Sequence, residues 1–188
     1  MRRHEILAAL ILPLSLLASP VVAQDRPSPL GTRVLGGGDE TPTLRDWFDF
    51  GHGPGPGDRA PDVRLDEEDE GSPRLFEALD PRLHTLLLFD GATASEAGYR
   101  GFVELAGRLE TRWPGLVATR IVVPHAQRPA ALAQWSGEVL LDAAGAVHER
   151  YGARSECIYL VRPDGYVGYR SQPAEPDKLC AYLERIFV

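Results

Sequence analysis

This chain of 188 residues predicts an α/β fold with a central mixed sheet of four or five strands flanked by helices. Two patterns carry the prediction. An apolar run at 85–89, an amphipathic stretch and a second apolar run at 116–123 read as β-α-β, which implies a parallel pair with a right-handed crossover. Farther on, "CIYLVR" (157–162) and "YVGYR" (166–170) flank Pro163, Asp164 and Gly165, which reads as an antiparallel hairpin.

The chain opens with Arg2 and Arg3 before the apolar run Ile6–Leu17, and small residues at Val21 and Ala23 suit signal-peptidase cleavage after Ala23. Residues 1–23 therefore read either as an export signal or as a linker helix of a protein that stays in the cytoplasm. The run is short and contains Pro13, which argues against a stable membrane span. Residues 24–56 are rich in Gly and Pro and read as a linker. "LRDWFDF" (44–50) interrupts it with Trp47, Phe48 and Phe50, which read as docking on the domain itself or, as the alternative, on a partner surface. The folded domain is expected over 57–188.

Within that domain "DEEDEG" (66–71) lacks the spacing of a calcium loop and is read as a solvated turn. "TLLLF" (85–89) is a short apolar run suited to a strand buried on both faces. Thr93 and Glu96 have capping-box spacing and predict a helix start. Tyr99, Phe102, Val103, Ala106, Leu109 and Trp113 then give one apolar stripe, which Pro114 and Gly115 end. "LVATRIVV" (116–123) is the next strand, "PAALAQW" (129–135) a short helix, "EVLLD" (138–142) a strand and "AAG" (143–145) a turn. After the hairpin, "EPDKLCAYLERIF" places Leu179, Leu183 and Ile186 on one helix face. The order β-α-β-α-β-β-α, parallel pair first and hairpin second, is that of the thioredoxin-like fold.

In thioredoxin-like enzymes the turn after the first of these strands carries reactive cysteines. Here it carries Asp90, Gly91, Ala92 and Thr93, and the helix start offers Thr93 and Ser95. A redox cysteine needs a lowered pKa, usually from a helix N-terminus. The two cysteines, Cys157 and Cys180, form no C-x-x-C. Cys157 opens an apolar strand and reads as an inert buried thiol, and the spacing leaves a Cys157–Cys180 disulfide open. "ARSEC", before the hairpin, has no counterpart of the cis-proline such enzymes place there. His4, His52, His84, His125 and His148 show no i, i+2 or i, i+4 pairing, so no metal site is assigned. The glycines of "GHGPGPG" lack a preceding strand and are broken by prolines, which removes the logic of a dinucleotide fingerprint. The net charge of −7 and the lack of any Lys/Arg cluster argue against nucleic acid. No catalytic, cofactor-binding or metal residue is assigned.

"PGDRAPDVRL", "HTLLLFDG" and above all "YGARSECIYLVRPDGYVGYRSQPAEPDKLCAYL" resemble the C-terminal domain of FAD-dependent aromatic-ring hydroxylases, of the phenol hydroxylase and pentachlorophenol monooxygenase type. The resemblance spans roughly 57–188. It implies a thioredoxin-like fold without thiol chemistry. FAD and NAD(P)H would belong to a large flavin region outside this chain, and no catalytic residue of that family maps onto it. The expected role is a non-catalytic association or packing module, whose partner is a flavoprotein hydroxylase or a second copy. The alternative is an exported binding or scaffold domain. A thiol oxidoreductase or peroxidase is disfavoured by the absent cysteines.

Overall fold

The structure, a computed structural model, describes residues 42–66, 69–91 and 95–187. The expected signal or linker helix at 1–23 and Thr93 lie outside them. Among the described residues no helix is long and apolar enough to cross a membrane.

The first element, α1 (Leu44–His52), falls inside the Gly/Pro-rich stretch. A capping box starts it. The Thr43 hydroxyl accepts from the Asp46 N–H, and the Asp46 carboxylate accepts from the Thr43 N–H at 2.7 Å. Five strands follow, β1 (His84–Phe89), β2 (Val117–Val123), β3 (Glu138–Leu141), β4 (Cys157–Val161) and β5 (Val167–Ser171). They form one sheet in the order β3-β2-β1-β4-β5. The β1–β2 and β2–β3 pairs are parallel, and the β1–β4 and β4–β5 pairs antiparallel. The sheet is therefore mixed, as the sequence predicts.

The long helix α2 (Glu96–Arg112) makes the crossover from β1 to β2, and α4 (Pro176–Ile186) begins with proline at its first turn, where no N–H is needed. Both cover one face of the sheet, where Phe102, Leu105, Leu109, Leu179 and Leu183 pack on Leu86, Leu88 and Ile158. On the other face, Phe50 of α1 and Val147 and Tyr151 pack on Leu87, Phe89 and Tyr159. Period-two alternation along β1 thus feeds both cores, which is why its run is apolar throughout.

Three local readings change. The N-cap of α2 is Ser95, not Thr93, and its hydroxyl accepts from the Gly98 N–H at 2.9 Å. The capping-box reading fails because glycine stands three residues beyond Ser95, where the box needs Glu or Gln. The "PAALAQW" helix shrinks to a 3-10 turn, Ala130–Leu132. After the "AAG" turn comes a helix the pattern did not show, α3 (Ala146–Tyr151), with left-handed glycines, Gly145 and Gly152, at its two ends.

The hairpin turn is as read. Gly165 has φ +82° and its N–H donates to the Arg162 carbonyl at 2.8 Å. The β4–β5 register shifts beside it, at Leu160/Val161.

Candidate functional site

The position that carries thiol chemistry in enzymes of this fold lies at the end of β1. Four elements meet there: the end of β1, the first turn of α2, the start of β4 and the end of β5. Asp90 follows the buried strand and is 5% exposed. Its carboxylate accepts from the Ser95 N–H at 2.7 Å. It also lies against the backbone of α2 at Gly98, where a Cβ would collide with its Oδ1. Gly91 turns the chain with φ +77°, and a Cβ there would sit 2.7 Å from the Arg154 carbonyl oxygen and the Ser155 Cα. The turn is therefore held tightly between α2 and β4.

No sulfur stands in that turn. Cys157 pairs with Phe89 across the β1–β4 ladder and points into the opposite core, with Phe50 and Tyr159. Full burial pushes its thiol well above the usual range, with the neighbouring Glu156 adding to the effect. That is the reverse of what a nucleophilic cysteine requires. Cys180 packs with the α2/α4 core, near the Arg108 guanidinium, and burial raises its thiol as well. Both cysteines are free and the sheet lies between them, so the disulfide left open by the sequence does not form. A cis peptide bond joins Gln172 and Pro173, after the hairpin rather than before it.

In place of thiols the structure brings carboxyls together. The ladder ends at Phe89 opposite Cys157, and the residues just beyond it, Asp90 and Glu156, are near enough for their charges to interact. Burial pushes the Glu156 carboxyl up to about 8, and the Asp90 charge adds to this. Glu156 Oε1, the Tyr99 hydroxyl and the Ser155 hydroxyl are buried without hydrogen-bond partners. Burial, with Asp90 in support, also raises the Tyr99 hydroxyl. The sequence pattern does not display this approach, since "ARSEC" stands far along the chain from Asp90. An acidic residue directly after one buried strand and another directly before a second was the available signal.

A second polar group sits in the opposite core. Asp142 is fully buried and its carboxylate accepts from the backbone N–H groups of Val147, at 3.2 Å, and His148, at 2.8 Å. It also contacts His148 Nδ1 at 2.6 Å, while Nε2 is buried against the Phe89 ring without a partner. This carboxylate takes over the orphan amides at the start of α3 and ties the helix to β3.

The remaining histidines stay apart. The His52 ring lies 4.2 Å from that of Phe48 and tilted to it, His84 meets Phe187 edge-on at 5.0 Å, His125 is exposed and His4 lies outside the described residues. Among the described residues no three His, Cys, Asp or Glu side chains gather where they could hold a metal. The described end of the acidic segment, residues 69–71, is a turn, in which the Asp69 carboxylate accepts from the Gly71 N–H at 2.9 Å and Arg64 donates to the Glu70 carbonyl at 2.7 Å.

One surface feature stands out. Phe50 is 7% exposed, but Leu44, Trp47 and Phe48 on α1 are 90%, 47% and 65% exposed. Their i, i+3, i+4 spacing puts them on one outward stripe. The helix beneath them is clamped. The Arg170 guanidinium donates to the carbonyls of Phe50 at 2.7 Å and Gly53 at 3.0 Å, and lies 4.5 Å over the Phe50 ring. Asp49 pairs with Arg154. The expectation that the aromatic segment docks on its own domain holds for Phe50 and not for its neighbours. Beyond the end of α1 lies an open cleft of about 890 Å³ bordered by His52, Arg64, Arg74 and Arg150.

Comparison with known proteins gives a family and a fold. The family model described as aromatic-ring hydroxylase, C-terminal, matches residues 53–188. No curated protein matches the chain. Among solved structures, a thiol peroxidase from Chromobacterium violaceum superposes with a TM-score of 0.55 at 17% identity, covering 72% of this chain and 90% of that one. A thioredoxin-like protein from Parabacteroides distasonis gives 0.51 at 19% identity, covering 70% and 96%. The thioredoxin domain of a thiol-disulfide oxidoreductase from Bacteroides vulgatus gives 0.51 at 18%, covering 70% and 97%. At these identities the likeness shows the thioredoxin-like fold alone.

Proposed function

Because the chain belongs to the aromatic-ring hydroxylase C-terminal family, we propose that it is a non-catalytic association module for a flavoprotein hydroxylase. FAD and NAD(P)H chemistry belongs to that partner, and this domain supplies a surface. The observation that carries the reading is the stripe Leu44, Trp47 and Phe48, exposed on a helix that Phe50 and Arg170 hold rigidly to the sheet. Large apolar groups fixed in water are stabilised when a partner covers them, and a preorganised helix loses little entropy in the process. The buried, high-pKa thiols and the cysteine-free turn support a role outside thiol exchange.

The test is sedimentation analysis of the full chain, alone and with a purified FAD-dependent aromatic-ring hydroxylase lacking its own C-terminal domain. A complex that the triple variant Leu44→Ser, Trp47→Ser, Phe48→Ser abolishes supports the proposal. A chain that stays monomeric and binds no such flavoprotein overturns it, and so does measurable disulfide reduction or peroxide turnover. The isolated chain is expected to be colourless and to take up no FAD on reconstitution.

A further inference from the structure

Helix α1 runs into a charged cleft, and its exposed stripe and the cleft meet at one residue. The His52 ring lies 4.2 Å from that of Phe48, the last member of the stripe, and it also borders the cleft of about 890 Å³. A partner that covers Leu44, Trp47 and Phe48 therefore reaches the cleft across a continuous surface.

The charges bordering the cleft do not cancel. Arg64, Arg74 and Arg150 stand against Asp62 and Glu149. Arg74 and Asp62 are occupied with each other and with local backbone. Arg74 Nε donates to Asp62 Oδ2 at 2.6 Å, and Asp62 Oδ1 accepts from the Phe76 N–H at 3.1 Å. Arg64 donates to the carbonyls of Glu70 at 2.7 Å and Ser72 at 3.1 Å. Those carbonyls hold the guanidinium in place but carry no net charge to offset it. The exposed side chains of Glu149 and Arg150, on α3, make no hydrogen bond or ion pair among the described residues. Two guanidinium groups are thus left against one carboxylate, in a chain whose net charge is −7. A guanidinium presents N–H donors in a fork that matches a carboxylate.

Resting on the association reading above, we propose that the partner covering α1 seats an acidic segment in this cleft. Its carboxylates meet Arg64 and Arg150, and its apolar residues cover Leu44, Trp47 and Phe48. The stripe supplies buried area, and the cations supply orientation and register. Glu149 opposes such a segment, so removing its charge strengthens the contact.

The experiment titrates the full chain, labelled with nitrogen-15 arginine, with a synthetic peptide of one tryptophan, one leucine and four glutamates. The control peptide carries glutamines in place of the glutamates. The acidic peptide is expected to move the Arg64 and Arg150 side-chain signals and to bind roughly tenfold or more tightly than the control. Each exposed ion pair changes affinity by up to about fivefold, and two are formed. Arg150→Gln should lower the acidic peptide's affinity several-fold, and Glu149→Gln should raise it. Sodium chloride at about 0.5 M shortens the reach of these charges to about 4 Å and should erase most of the preference. Equal affinity for the two peptides overturns the proposal, and so does a preference that survives Arg150→Gln. Should that variant fail to fold, the salt series on the wild type decides, and a preference unmoved by salt overturns the proposal. Inorganic phosphate that displaces the peptide at equal concentration would mark a site for free anions and also overturn it. Sedimentation with the flavoprotein separates this proposal from the reading beneath it. A complex lost in the Leu44, Trp47, Phe48 triple variant but untouched by Arg150→Glu overturns the acidic segment and leaves the association module standing. An acid-selective peptide without a flavoprotein complex supports the cleft and removes that choice of partner.

Discussion

Gly152→Ala tests whether α1 is part of the folded domain. Gly152 caps α3 with φ +64°, and its missing side chain faces the α1 backbone, where a Cβ would collide with the Asp49 carbonyl oxygen and the Phe50 Cα. Two penalties follow. An L-residue in the left-handed region costs about 1–2 kcal/mol. The collision is with backbone and no rotamer relieves it, so α1 must lift away. Undocking exposes Phe50, worth about 2–3 kcal/mol, and breaks the Arg170 bonds to the Phe50 and Gly53 carbonyls. The sheet and its other helices can stay folded once α1 has left, so the destabilisation is capped near the docking energy, at about 3–5 kcal/mol in all. Urea unfolding should show a lower midpoint, and limited trypsin digestion should cut at Arg45 well before the wild type is touched. The reasoning is refuted if Gly152→Ala unfolds within about 1 kcal/mol of wild type with Arg45 equally protected.

Three further substitutions probe single features. Gly165→Ala places a Cβ at φ +82° and 3.2 Å from the Phe76 ring, and should destabilise by about 1 kcal/mol or more; a neutral result in chemical denaturation would remove the turn assignment. Cys157→Ala trims a fully buried side chain and should cost about 1 kcal/mol while leaving partner binding intact; lost binding at unchanged stability would show that the thiol has a chemical role. Ser95→Ala removes the acceptor for the Gly98 N–H and should cost about 1 kcal/mol; if Thr93→Ala costs more than Ser95→Ala, the helix cap lies where the sequence spacing first placed it.

The legible parts of the fold were those where one physical signal dominates. Apolar runs mark β1 and β4, which are buried on both faces, and a proline-initiated turn marks the hairpin that adds β5. Helix α3 was hidden because six residues hold too few turns to display a period, and because its stability comes from Asp142, a side chain in the preceding turn. Helix α1 was obscured by the glycines and prolines on either side, although Thr43 and Asp46 carry its capping box. The cap of α2 lies two residues beyond the expected one because both Thr93 and Ser95 are competent cap residues, and it is the Ser95 hydroxyl that meets the Gly98 N–H. At the candidate site, the absence of a thiol could be read directly. The approach of Asp90 to Glu156 is legible only in part: each flanks a buried strand in the sequence, but it takes the pairing of β1 with β4 to bring the two strand ends together.

The placement of Cys157 and Cys180 on opposite sides of the sheet has a consequence for where this chain can be made. Each sulfur is enclosed in a separate core, so reaching the native state requires no oxidant, and a reducing medium has no bond to break. Neither a reducing nor an oxidising folding medium would add or remove a disulfide between these two cysteines in the finished domain. If a cell retained or secreted it, the same polypeptide would reach the same connectivity in either environment, and recombinant material from a reducing host would need no reshuffling step.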